Sequence, residues 1–235
     1  MKKTDLLVIV FLNAPAFGAW AQPTLWDVQF SYSYDYQPTQ TGAAVIGNSG
    51  DQWNLCASAG SGAQTLFDST GASGSVSISW NANGAYAPLN APGYYGFYGT
   101  ADSSLMDGYI LATGSDTITV SGLADFSNYT IDLYTQGDFT SSGRALSVTT
   151  DLGTYTSSPT VATASTFVEG QNYLVVSAET DASGTLDLTY APTAGGEADV
   201  NGLQITGASP VPEPSSFALV GLGGFLAWLN LKRRK

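Results

Sequence analysis

The 235-residue chain contains no histidine and a single cysteine, Cys56. The first absence removes Ser-His-Asp and Cys-His nucleophilic catalysis, histidine general bases and histidine-ligated zinc. The second removes any intrachain disulfide, although a domain of roughly 190 residues buries an adequate core without one. No histidine or lysine lies near Cys56 in WNLCAS, so it reads as a small apolar strand residue rather than a reactive thiol. Cations are scarce as well. Of the seven, Lys2, Lys3, Lys232, Arg233, Arg234 and Lys235 sit at the two ends. Between Gln22 and Pro210 stand seventeen carboxylates (the chain's nineteen less Asp5 and Glu213) against one cation, Arg144, a net charge of about −16. Such a surface repels phosphate backbones and excludes a nucleic-acid partner. No glycine-rich loop is followed by lysine, which excludes phosphate-cradling NTPase chemistry. No apolar run reaches the twenty or so residues of a free-standing membrane helix.

What is present begins with MKKTDLLVIVFLNAPAFGAWAQP. A basic start at Lys2 and Lys3, an apolar stretch from Leu6 to Leu12 and a small-residue site at Ala19-Trp20-Ala21 make the three parts of a secretory signal peptide. Asp5 and Pro15 depart from the ideal pattern. Cleavage is expected after Ala21, giving a signal peptide over residues 1–21; an uncleaved anchor is the alternative.

From Trp26 onward the apolar period is two. Trp26, Val28, Phe30, Tyr32, Tyr34 and Tyr36 fall on one face, and Asp27, Gln29, Ser31, Ser33 and Asp35 on the other, which predicts a strand with one face buried. The same alternation recurs in SVSISW, DTITV, NYTIDLY, NYLVVSA, GTLDLTY and ADVNGLQI. Turn signals separate these runs: GNSGD, STGASG, NANG, SSG and DASG. About ten to twelve strands and no helix are expected over residues 22–206, an all-β domain best built as a jelly-roll β-sandwich. A β-solenoid is the competing architecture, but no fixed repeat period is present.

Two stretches resemble the galactose-binding-like jelly rolls of exported bacterial proteins: VSGLADFSNYTIDLYTQGD (120–138), as a strand entry, and EADVNGLQI (197–205), as a last strand. The resemblance implies a fold, and in many members affinity for sugars. It also implies a structural calcium where first and last strands meet, with Asp27 and Glu197 or Asp199 as its candidate ligands; no EF-hand loop is present. Without that ion, Asp27 and Asp199 would occupy the wet faces of their strands.

The loop APGYYGFYGT crowds Tyr94, Tyr95, Phe97 and Tyr98 into five positions. Exposed rings would stack on sugars or on a protein partner; turned inward, they would cap the core. Arg144 could clamp a substrate carboxylate, but pairing with an aspartate such as Asp138, or a place in solvent, is the plainer expectation. Asn128-Tyr129-Thr130 matches a glycosylation acceptor on a segment that reads as a strand. An ice-binding face would need ranks of threonine, and along the chain Thr117 and Thr119 alternate only once. The one enzymatic option left is a carboxylate pair acting on a polysaccharide.

The chain closes on a proline-stiffened linker, residues 207–216, and a fifteen-residue apolar run, Phe217–Leu231, before KRRK; residues 217–235 read as a single transmembrane helix with its cations inside. Val211-Pro212-Glu213-Pro214-Ser215, with the short glycine-bearing run and basic end, resembles the PEP-CTERM sorting tail. That resemblance implies recognition by an exosortase, a membrane cysteine protease. The expectation is therefore an exported protein of the cell surface or extracellular matrix, membrane-held before processing. It would be non-catalytic, structural or adhesive, with carbohydrate binding and no cofactor apart from the calcium considered above. A carboxylate-dependent polysaccharide enzyme is the alternative.

Overall fold

The alternating runs form strands where their β-branched and aromatic residues place them, but ADVNGLQI, expected as one strand, divides at Asn201 into Ala198–Val200 and Gly202–Gly207, which join different sheets. The computed structural model describes residues 24–33, 38–87, 93, 95–137, 143–161 and 163–207, all within one unit, Pro23–Ala208. One sheet has five strands in the spatial order β11 (Tyr173–Glu179), β8 (Asn128–Tyr134), β14 (Gly202–Gly207), β1 (Leu25–Ser31) and β2 (Trp53–Ala57). A second has six, in the order β10 (Gly153–Thr156), β9 (Ala145–Thr150), β12 (Leu186–Ala194), β7 (Asp116–Ser121), β4 (Ser73–Trp80) and β3 (Gly62–Phe67). A small sheet joins β13 (Ala198–Val200), β6 (Tyr109–Ala112) and β5 (Gly84–Tyr86). The described residues thus hold fourteen strands, above the expected ten to twelve because three- and four-residue strands leave little alternation to read. They also hold one helix, α1 (Ser103–Asp107), where none was expected.

Residues from both large sheets meet in one apolar cluster. Val28, Phe30, Ile131, Val176 and Ile205 of the first pack with Ile78, Trp80, Ile118, Val148 and Leu188 of the second, which makes the fold an all-β sandwich. Phe30 and Trp80 meet edge to face across the interface, centroids 5.3 Å apart. Pro192 interrupts β12, and the register with β9 shifts there, as a residue without an N–H requires.

The strand expected over 26–36 differs in two ways. It ends at Ser31, and its polar face is not wet: Asp27, Gln29 and Ser31 are fully buried. The pairing of β1 with β2 explains this. The pair is parallel, so the chain must cross over between them, and the long connection lies on the outer face of the five-stranded sheet. A second apolar cluster forms there, from Trp53, Tyr95, Phe97, Leu105, Met106 and Tyr134. Beneath this cover Gln29 accepts the Gln40 N–H (2.7 Å) and donates to Ser104 O (2.9 Å) and Pro38 O (3.2 Å). Alternation marks which residues share a face. It does not mark whether the polar face meets water or buried partners.

Both seams of the sandwich are closed by side chains. On one side the Asn54 amide of β2 donates to Phe67 O (2.8 Å) and Asp27 O (3.0 Å) and accepts the Phe67 N–H (3.0 Å), imitating a strand neighbour for β3. On the other, Ser177 O of β11 accepts the hydroxyls of Thr150 (2.8 Å) and Tyr155 (3.3 Å), and the Glu179 N–H is donated to Asp151 Oδ1 (3.0 Å). Asn54→Leu removes three hydrogen bonds at a buried site and should cost about 3 kcal/mol in urea unfolding. A loss below about 0.5 kcal/mol would show that the seam does not depend on Asn54.

The expected signal peptide (1–21), the linker beyond Gly207 and the expected transmembrane segment (217–235) lie outside the described residues. No helix among the described residues is long and apolar enough to cross a membrane.

Candidate functional site

Two of the three acidic candidates converge, on a guanidinium. Arg144, just before β9, donates Nη1 to both oxygens of Asp199 (2.9 and 3.1 Å), and its Nη2 stands 2.7 Å from Glu197 Oε2. Tyr109 Oη lies 3.5 Å from Nη1. The Ala194–Ala145 pairing brings the turn before Glu197 to Arg144, and a Cβ on Gly195, whose φ is +73°, would sit 2.7 Å from the Arg144 Cα. Burial alone would lower the Arg144 pKa, but the hydrogen bond and charge of Asp199 outweigh it and hold it above the ordinary value. Asp199 is buried rather than on a wet strand face. Asp138, the partner anticipated from the sequence, lies outside the described residues.

Asp27 is placed elsewhere, on β1 opposite Gln204 of β14, with Asp132 of β8 next in the row. Its Oδ1 accepts Gln204 Nε2 at 2.6 Å, and Oδ2 is buried without a partner. Burial pushes its pKa up to about 7 against the Gln204 bond, with the Asp51 charge adding to the rise. Gln204 also donates to Ile46 O (3.1 Å) and accepts the Tyr134 hydroxyl, while Tyr134 Oη accepts the Val45 N–H (3.1 Å). These bonds pin the crossover to the sheet. Asp107, at the end of α1, is 1% exposed with neither oxygen bonded, and burial raises it to about 7. Asp132 is raised to about 6 by burial first and the Glu169 charge second. Sequence reasoning missed Asp107 and Asp132 because nothing along the chain marks which carboxylates the fold buries. Among the described residues no group of three His, Cys, Asp or Glu is placed to hold a metal ion.

The aromatic loop turns inward. Tyr95 and Phe97 are buried in the second cluster, Phe97 against Phe167 with centroids 4.9 Å apart, and Tyr95 Oη is 2.9 Å from Ser103 Oγ. Tyr98 stands edge-on to Tyr95 and is 43% exposed. Tyr94 lies outside the described residues. Cys56 sits in the sandwich core, where burial pushes its thiol up to about 12, as an inert apolar residue requires. Asn128 is exposed at the start of β8.

A groove on the described surface is walled by a large exposed ring. About 370 Å³ in volume, it is lined by Phe126, Asp151, Glu179, Asp181, Thr185 and Asp187, among others. Phe126 lies inside a stretch singled out in the sequence. Its only signal there was an apolar residue, in Asp-Phe-Ser-Asn, that belongs to no alternating run.

No curated protein matches the chain in sequence. It is similar to a crystal structure of the plant receptor-like kinase ANX2, with a TM-score of 0.48 and 13% identity over 82% of this chain and 51% of that one, so the match spans about half the length of that chain. It is also similar to the C-terminal CBM6 of LamC, a marine laminarinase from Zobellia galactanivorans (TM-score 0.25, 19% identity, 42% of this chain and 77% of that one). The ANXUR1 extracellular domain from Arabidopsis thaliana gives a TM-score of 0.33 at 10% identity, over 76% of this chain and 57% of that one. These likenesses are too distant to bear on activity. The sorting stretch Val211, Pro212, Glu213, Pro214 and Ser215 lies outside the described residues; in sequence, residues 210–235 match the PEP-CTERM protein-sorting motif.

Proposed function

We propose that this chain is an exported protein of the cell surface or extracellular matrix, sorted by an exosortase and non-catalytic, with a structural or adhesive role and affinity for carbohydrate. The observation that carries it is the sorting motif at residues 210–235, set directly behind an all-β unit. Residues 1–21 then serve as the export signal, and 217–235 hold the chain in the membrane until processing. The sandwich is of the jelly-roll kind. A domain without histidine and with one ion-paired arginine has few groups for catalysis, and this supports the non-catalytic assignment.

A carboxylate-dependent polysaccharide enzyme is the second reading. The raised carboxyls of Asp27 and Asp107 favour it, since a general acid needs a pKa near neutrality. Both side chains are buried, which speaks against contact with a polymer.

Cell fractionation tests the sorting. In cells with an exosortase the product should be shorter and leave the membrane fraction; in cells lacking it, the longer form should stay there. Equal mass and location in both would overturn the proposal.

A further inference from the structure

Phe126 is 69% exposed, the most exposed of the large apolar side chains described, and it takes a backbone conformation that aromatic residues avoid. Its φ is +46°, and no other non-glycine residue among those described has a positive φ. A bulky residue there is strained and persists because its surroundings enforce it. The surroundings do so here. The Phe126 N–H is donated to Asp181 O (3.2 Å) and the Leu123 N–H to Gly184 O (3.1 Å). Thr180 Oγ1 accepts the Ser127 N–H (2.9 Å) and donates to Ala124 O (2.6 Å). The two loops approach so closely that a Cβ on Gly184, itself at φ +68°, would fall 2.1 Å from Leu123 O. The ring is thus fixed in solvent by a rigid double loop, at the wall of the 370 Å³ groove.

The groove's polar groups are fixed too. Asp187 Oδ1 accepts the Thr119 hydroxyl (2.5 Å), Asp151 Oδ1 accepts the Glu179 N–H (3.0 Å), and Asp181 Oδ1 accepts the N–H groups of Ser183 (2.7 Å) and Thr185 (3.0 Å). Each carboxylate is held through one oxygen and leaves Oδ2 unbonded. The domain's one cation, Arg144, is engaged with Asp199 and Glu197, so nothing positive lines the groove. A hydrophobic wall facing fixed acceptors fits a ligand with one apolar face and a rim of hydroxyl donors, and the uncompensated negative charge rejects anions.

We propose that this groove is a subsite for a neutral sugar ring of a polysaccharide, stacked on Phe126 and hydrogen-bonded through its hydroxyls to Asp151 and Asp187. It rests on the carbohydrate affinity proposed above and names where that affinity lies and for which charge class.

The test uses the full chain in detergent, with defined β-glucan, mannan and galactan oligosaccharides and oligogalacturonates as the anionic comparison. At least one neutral series should bind, and the oligogalacturonates should bind more weakly. Phe126→Asn should weaken binding at least about tenfold while leaving the melting temperature unchanged or higher, because asparagine tolerates a positive φ. Asp187→Asn, at an exposed position, should weaken binding several-fold. If the wild type binds none of these glycans, the carbohydrate reading and the subsite fall together. If it binds and Phe126→Asn binds equally well, the subsite is wrong and the affinity lies elsewhere. Tighter binding of oligogalacturonates would overturn the charge selection.

Discussion

Arg144→Met should lower the unfolding free energy by about 3–5 kcal/mol at neutral pH, measured by urea denaturation. The size follows from what is left behind. The Asp199 side chain is 1% exposed and meets the guanidinium through both oxygens, so removing Arg144 takes the counter-charge from a buried carboxylate in a domain with no second cation. Arg144→Lys should rescue little, because one ammonium cannot form a two-oxygen fork with Asp199 and also reach Glu197. Glu197→Gln should cost less than about 1 kcal/mol, since the Glu197 side chain is 30% exposed and solvent replaces part of the lost contact. The double variant Arg144→Met with Asp199→Leu should regain most of the loss, as an apolar pair needs no compensating charge. A single-variant cost below 1 kcal/mol would demote the clamp to an ordinary surface contact.

Stability should fall as pH rises from 5 to 8. The buried carboxyls of Asp27 and Asp107 have their pKa values raised from 3.8 to about 7, and that of Asp132 is raised to about 6. A group that holds its proton more tightly folded than unfolded favours the folded state at low pH. That contribution is whole below the unfolded value and is lost as pH climbs through the folded one. The window lies between about 4 and 7, so most of the fall should be complete by about pH 7, and at about 1.4 kcal/mol per pKa unit it should amount to several kcal/mol. Asp68 and Asp181 are shifted the other way by hydroxyl and N–H donors in their own turns, so they oppose this trend only at the acid end. Asp27→Asn with Asp107→Asn should flatten the slope and raise the melting temperature at pH 8, because an asparagine oxygen can still accept from Gln204. A wild-type melting temperature that is constant from pH 5 to 8 would refute this account.

The sandwich was legible because its core strands obey one rule. Val76, Ile78 and Trp80, or Ile118 and Val120, alternate with residues that face water, and their burial follows that period. The layer over the five-stranded sheet was not legible. Whether Asp27 and Gln29 meet water depends on a crossover whose path follows from strand order, and strand order leaves no mark along the chain. The same missing knowledge let Tyr95 and Phe97 pass for an exposed platform. Cross-strand neighbours are equally hidden: Thr154, Thr149, Thr189 and Thr117 line up across four strands, a rank that no pair of adjacent residues announces. Arg144 was readable as an ion-pairing residue from its isolation, but its partners come from a strand some fifty positions away. Phe126 stood out only once its backbone conformation was known.

The seams closed by Asn54 on one side and by Thr150, Tyr155 and Asp151 on the other bear on crowding. Open sheet margins invite further strands, and proteins massed at an interface are prone to fuse through them into fibres. Here Phe67 N–H and O, Ser177 O and Glu179 N–H at those margins are already bonded from within the molecule. At those points a second copy meets no open main-chain group, so the sandwich is protected there against extension of its sheets.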